Sequence, residues 1–443
     1  MSKKNDLEHT STMLGNQDMK GSQRMVSVVE PYELPEGWKW CRLGEVCKFE
    51  NGYAFKSDKF AKQGIPVVRI TNLKDNEVSL EDCVYTTEDN IEERFIVKKG
   101  DLLIAMSGAT TGKNGVYLFD KIVYLNQRVG NIKVIDSTIL NDKYRNFYIQ
   151  AKEQDILKNA YGGAQPNISS TKICAMPFPL PPTLAEQQRI VNRIESMFAK
   201  LDEAKEKAQN IVDGFETRKA AILHKAFTGE LTARWRKENC VCDDSWEEKR
   251  FDSCIAKMQN GLSKRSGNEG EETVVLRLAN MGEDDFDVSD LRTIKLTSKE
   301  KNNYSLAKND VVMIRVNGSK TNVGRQLLVK NNKGWSFCDH IIRIQFEVFC
   351  LPNYMVYFSK TKEYIDYVQD NMVSSAGQNT ISRKGLSNLS LKVPTLPEQV
   401  EIVRILDIII EKENKAKQAA EAVLEQIDLL KKSILARAFR GEL

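Results

Sequence analysis

Two sets of polar side chains stand beside glycines in this chain, and the chemistry they suit is the reading of bases. The first set is Asn51, Tyr53, Lys56, Lys113, Asn114, Gln127, Arg128, Gln165 and Asn167. The second is Asn260, Lys264, Arg265, Arg315, Asn317, Lys320, Asn322, Arg325, Gln378, Asn379 and Arg383. Amides and the arginine fork make paired hydrogen bonds to base edges in the major groove, with lysines on the phosphates. Arg69 and Asn72 in "IPVVRITNL" answer Arg277 and Asn280 in "TVVLRLANM" and join these candidates. A single exposed Lys or Asn is usually just solvated, so the pattern counts and no one residue does.

Catalytic chemistry is harder to assemble. "GATTGKNG" at Gly108 to Gly115 fails as a phosphate loop, because its first two glycines enclose three residues and Asn114 follows Lys113. It reads as a polar turn. The prolyl pair Pro181-Pro182 sits in "LPPT", outside the Asn/Asp-Pro-Pro-aromatic sequence by which amino-methyltransferases hold a flipped base. Three histidines (His9, His224, His340) are scattered, and nine cysteines show no metal-ligand spacing, Cys240 and Cys242 having no second pair. An odd cysteine count without a signal peptide points to reduced thiols and the cytoplasm. No catalytic residue, cofactor or metal is expected in this chain.

The elements that must position these loops repeat. "AFTGEL" at Ala226 recurs as "AFRGEL" at Ala438, an offset of 438 − 226 = 212, and "PTLAEQQRIV" at Pro182 recurs as "PTLPEQVEIV" at Pro394, again 212 apart. Between these anchors runs a heptad seam: Ile194, Leu201, Ala208, Phe215 and Ile222, with Met197, Ala204 and Ile211 three positions on. Its second copy has Leu406, Ala420, Ile427 and Ile434, with Ile409, Ala416, Val423 and Leu430. Arg218 and Glu413 interrupt the two seams. The period is that of coiled-coil helices. Capping boxes at Thr183/Glu186 and Thr395/Glu398 would start them, and Gly229 and Gly441 would end them. Each helix should span roughly 60 Å.

Before each helix, short Val/Ile/Leu-rich runs between Gly, Asn and Asp turns read as strands, as in "GDLLIAMSG" and "NDVVMIRVNG". Helical stretches follow near "DKYRNFYIQAKEQDILKNA" and "NYMVYFSKTKEYIDYVQDN". Trp38 and Trp246 stand at matching places as core anchors. The order is therefore α/β domain, helix, α/β domain, helix. Because domain termini usually lie close together, the second helix must run back along the first, giving an antiparallel coiled coil and an approximate two-fold axis. Two such readers would meet sites about 34 Å apart, one turn of the duplex.

A net charge of +4, from 65 basic and 61 acidic residues, leaves room for a basic groove without coating the protein in charge. No apolar run approaches the ~18 residues of a membrane span, and the polar start of the chain is not a signal peptide.

"LPEGW", "GDLLIAMSG" and the helix from "PPTLAEQQRIV" to "AFTGELTARWR" resemble the specificity subunit of bacterial type I restriction-modification enzymes. The similarity runs from about Tyr32 onward. It implies an α+β tandem repeat: a flexible tail at 1–31, target recognition domain 1 at 32–180, a spacer helix at 181–236, target recognition domain 2 at 237–392 and a second spacer at 393–443. Each domain would read half of a split site on double-stranded DNA, while the spacers set the gap and dock the modification subunits. The resemblance further implies two methyltransferase subunits using S-adenosylmethionine on adenine, and two motor-endonuclease subunits using ATP and Mg. Relatives often continue past "GEL" with a segment like "TARWR", present here only after the first copy. The alternative is a coiled-coil adaptor that binds proteins rather than DNA, and it expects loops rich in exposed apolar residues.

Overall fold

The computed structural model describes residues 30–88, 91–160 and 166–443. Of the expected tail, 1–29 lie outside the described residues. The chain falls into two units, one of Met1–Glu203 with Ile427–Leu443, the other of Ala204–Gln426.

In the first unit the central strand is Leu102–Ala105, four consecutive buried apolar residues. A strand buried on both faces gains from such a run, where a half-exposed one would alternate. It sits between Val129–Val134 and Asn114–Val116, and Cys47–Asn51 lies outside Val129–Val134, all antiparallel. In the second unit Val311–Ile314 is equally buried and lies between Ile341–Phe346 and Gln326–Leu328, with Ile255–Asn260 at the outer edge. Strand order and direction match. Each unit also pairs one strand in parallel with a later one: Ile65–Val68 with Val123–Leu125, and Glu271–Leu276 with Ser336–Phe337. A short antiparallel ribbon closes each domain on itself, Lys39–Arg42 with Pro177–Leu180 and Glu247–Arg250 with Ser390–Val393.

The expected helices form at Asp142–Ala151 and Glu153–Ala160, and at Pro352–Phe358 and Lys362–Asn371. Asn141 caps the first through Lys143 and Tyr144 amides, and Thr361 caps the last through Tyr364. Trp38 and Trp246 pack against the buried clusters of their own units.

The long helices are Leu184–Asp213 continued by Phe215–Phe227, and Leu396–Ala438. The first is interrupted at Gly214, where a Cβ would lie 2.4 Å from Arg218 Nη1. The path continues through the break, since the Gly214 amide still bonds Asn210 O and its carbonyl accepts from Arg218 N. Gly229 and Gly441 take the left-handed φ of +83° and +74° that ends each helix. The buried strip is narrower than the heptads predict: Ile211, Val423 and Leu430 are exposed at 38%, 39% and 47%. A helix with one helical neighbour leaves the flanks of its apolar stripe in water.

The capping boxes are corrected too. Thr183 Oγ1 accepts from the Glu186 amide at 3.2 Å, but the Glu186 carboxylate turns to Arg189 instead of back to Thr183. Glu398, fully buried, accepts from Thr232 Oγ1 and Arg236 Nη1, each at 2.6 Å. A charged partner outcompetes a backbone amide for a carboxylate.

The repeated motifs explain themselves at the domain surfaces. Gln187 is buried, its Oε1 accepting from the Asn141 amide and its Nε2 donating to Ile139 O. Gln399 does the same for Leu351 N and Phe349 O in the second unit. Phe439 meets the rings of Tyr144 and Tyr148, both at 5.2 Å, and Phe227 meets Tyr354 at 4.9 Å and Phe358 at 5.5 Å. Each domain is thus gripped by the start of one long helix and the end of the other.

Candidate nucleic-acid interface

In the first unit five separated stretches converge. The Met106 amide donates to Arg128 O, Ile168 N donates to Met106 O, Gln127 N donates to Tyr53 O, and Asn126 N donates to Val68 O. Gln127, Arg128 and Asn167 therefore line one depression together with Met106, Ser107 and Pro166. Asn51, Lys56, Lys113 and Tyr53 are also exposed, Tyr53 stacked edge-on against Phe55 and Phe95. Gln165 lies outside the described residues.

The second unit builds the same scaffold bond by bond. Arg315 N donates to His340 O, Ile381 N to Arg315 O, Asp339 N to Leu262 O, and Cys338 N to Leu276 O. Where the first unit bonds Gly112 N to Ala105 O and Ala105 N to Lys113 O, the second bonds Gly324 N to Ile314 O and Ile314 N to Arg325 O. The backbone thus equates Met106 with Arg315 and Lys113 with Arg325, and the second loop is longer.

Side chains differ on this shared frame. Lys264, Arg265, Arg277, Arg292 and His340 line one cleft of the second unit. Carboxylates hold three of these cations: Glu300 holds Lys264 (3.0 Å), Asp339 holds Arg265 (3.0 Å) and Asp290 holds Arg277 (2.8 Å). The Thr297 backbone amide first, and then Lys264, hold the Glu300 carboxyl below the usual range. Burial pushes the Cys338 thiol up, so the cleft floor carries a neutral sulfur. Arg325 is tied to Asn322 Oδ1 and to the carbonyls of Met281 and Gly282. Asn317 caps Ser319 N, while Asn260, Lys320, Gln378 and Arg383 face solvent.

Four candidates turn inward and are corrected. Asn72 and Asn280 are 1% exposed; each accepts from the amide of its own Arg, Arg69 or Arg277, and donates to carbonyls across the turn. They shape the turn, and the arginine beside each is half-buried and bonded across it through Nη2. Asn114 donates to Gly112 O from a buried position, and Asn379 spans Ser374 and Gly318. Asn72, Asn280 and Asn379, bonded at both ends of the amide, have no edge left for a base, and Asn114 is buried away from one.

Met106, Ser107, Arg292 and His340 line these depressions and Asp339 pairs with Arg265, and residue type alone singles out none of them. The repeat offset carried the signal for two of them: 127 + 212 = 339 and 128 + 212 = 340. Among the described residues no His, Cys, Asp or Glu cluster could hold a metal ion, and no helix is long and apolar enough to cross a membrane.

A family model described as "Type I restriction modification DNA specificity domain" matches residues 35–211 and again 246–426. The chain belongs to that family. The StySPI specificity subunit of Salmonella potsdam is 28% identical over 421 residues, covering 93% of this chain and 90% of that one. The EcoKI specificity subunit of Escherichia coli K12 is 25% identical with the same coverage of both chains. The crystal structure of the HsdS subunit from Thermoanaerobacter tengcongensis superposes with a TM-score of 0.62 at 19% identity, covering 93% of this chain and 99% of that one. As in the family model, the specificity domain occurs twice along the sequence, and the two units carry one strand order each.

Proposed function

We propose that this chain is the non-catalytic, DNA-reading specificity subunit of a type I restriction-modification complex. The observation that carries the reading is one loop scaffold, built twice bond for bond, presenting different side chains each time. Specificity that lives on loops over a constant frame has this form. Among the described residues of the loops that build the two scaffolds, exposed large apolar side chains are few, Tyr53 and Val373 being two of them, which disfavours the protein-binding adaptor.

In this reading the recognition domains are 32–180 and 237–392, and the helices at 181–236 and 393–443 are spacers that dock two modification subunits. Those partners would use S-adenosylmethionine on adenine, and two motor-endonuclease subunits would use ATP and Mg, all in the cytoplasm. Methylated positions mapped by sequencing, in cells carrying or lacking this gene, test the proposal. A two-part motif that vanishes with the gene is expected; an unchanged methylation pattern would sink it.

The spacers are read as an antiparallel coiled coil. Support comes from each unit separately: Lys431 pairs with Asp202 and lies over Phe198 in the first, and Arg218 pairs with Glu413 while Lys417 lies over Phe215 in the second. Cysteines at 202 and 431 should crosslink within one chain, as mapped by mass spectrometry. Efficient crosslinking of cysteines at 194 and 406 instead would demonstrate a parallel pair.

Arg315 is expected to contact DNA in one half-site. Arg315→Ala should cost about 1–3 kcal/mol of binding and relax one position, whereas Lys320→Ala should weaken all sequences alike. Unchanged affinity and motif in Arg315→Ala would remove that loop from the interface.

A further inference from the structure

Within the cleft of the second unit, one cation pairs with a carboxylate on the turn that carries His340. Arg265 Nη2 lies 3.0 Å from Oδ1 and 3.3 Å from Oδ2 of Asp339, and 3.4 Å from Nε2 of His340. Asp339 and His340 sit on the turn that the backbone fixes from both sides, through Asp339 N to Leu262 O and Arg315 N to His340 O. Arg265 itself is half out of the protein, its side chain 53% exposed while Asp339 and His340 are 32% and 31%. Its Nε and Nη1 make no hydrogen bond among the described residues. An arginine fixed at one nitrogen, with the remaining donors facing solvent, is prepared for an acceptor pair.

The first unit has the same positions with other chemistry. Tyr53 and Leu262 occupy equivalent places by their bonds to Gln127 and Asp339, so Lys56 corresponds to Arg265 and Gln127 to Asp339. There the arginine–carboxylate pair becomes a lysine and a neutral amide. Lys56, Gln127 and Arg128 make no side-chain hydrogen bond among the described residues. One frame therefore holds a stiffened fork in one unit and unrestrained groups in the other.

Resting on the proposed DNA-reading role, we infer that Arg265 reads a guanine in the half-site of the second unit and that Asp339 is its positioning residue. Guanine presents O6 and N7 as adjacent acceptors in the major groove, the pair that a guanidinium fork matches. The carboxylate lowers the ordering cost of the side chain before DNA arrives, and repels the phosphates that would otherwise capture it. Gln127, with donor and acceptor on one amide, suits adenine at the corresponding place, so the two half-sites should differ there.

The test uses the full chain in its complex with the modification subunits, selecting bound duplexes from a randomised library and sequencing them. Wild type should show a guanine position that Arg265→Ala abolishes, with roughly 10- to 100-fold weaker binding of the selected target and the other half-site intact. Asp339→Asn should relax that same position while leaving binding to targets without the guanine unchanged or stronger; Arg265→Lys should fail to restore guanine. Equal melting temperatures across variants separate reading from folding. Retention of the guanine preference in Arg265→Ala, or uniform weakening on all sequences, would overturn the inference. Wild-type complex that selects no sequence at all would instead overturn the DNA-reading role beneath it.

Discussion

Glu398→Ala will lower the stability of the second unit by about 1–3 kcal/mol, while Glu186→Ala, its partner in the repeat, will cost less than about 1 kcal/mol. The two glutamates are 212 positions apart in near-identical sequence. Their surroundings are not alike. Glu398 is wholly buried and accepts from both Thr232 and Arg236, whose own side chain is nearly buried and also donates to Gly229 O. Removing the carboxylate takes a 2.6 Å partner from a nearly buried guanidinium and leaves the buried Thr232 hydroxyl without the acceptor it donates to. Glu186 bonds Arg189 in a pair that is 29% and 51% exposed, where water and salt replace most of what is lost. Urea unfolding of the full chain distinguishes them. Equal losses at the two positions would show that the ion pair at Glu398 is not what holds the end of the first long helix to the second unit.

The second large effect concerns two glycines. An ideal Cβ at Gly261 would stand 2.1 Å from Cys338 O and 2.5 Å from its carbonyl carbon; at Gly52 it would stand 2.1 Å from Asn126 O. The obstacles are backbone, so no side chain can swing aside, and overpacking of this kind costs about 1–3 kcal/mol or more. What must move is the turn carrying Asp339 and His340, or Gln127 and Arg128. Gly261→Ala should therefore erase the preference of one half-site and Gly52→Ala that of the other, each lowering affinity for the full target toward the non-specific level, at least about a thousandfold. Methylation mapping of the two variants reads this directly. If either variant keeps both half-sites, its turn does not position the reading residues.

The frame of the molecule was legible because repetition and periodicity are written in residue types. The buried runs "LLIA" and "VVMI" marked the central strands, and the positive-φ glycines marked the helix ends. Even the two flaws in the heptads proved informative: Arg218 and Glu413 bond each other at 2.8 Å. Each seemed an isolated exception because sequence spacing does not reveal which residue lies across the seam. The site was less legible. Asn72 and Asn280 look like readers by type, but a short amide beside a turn is at least as useful to the backbone. Asp339 was invisible for the opposite reason. A carboxylate is not an obvious DNA ligand until the arginine it steadies is found 74 positions away. Side-chain identity suggests what a residue can do; only its neighbours decide which of those things it does.

The division of the long helices between units also sets an order of events during synthesis. The second unit is a continuous stretch, Ala204–Gln426, and can close as soon as that stretch has emerged from the ribosome. The first cannot. Leu435, Ala438 and Phe439 belong to the same buried cluster as Tyr144, Tyr148, Ile190 and Ile194, so its core lacks a wall until those three residues appear. At ~5–20 residues per second the intervening chain takes on the order of 10–50 s to make. The domain translated first is therefore the one finished last, and through that interval its open wall is a surface for chaperones to cover.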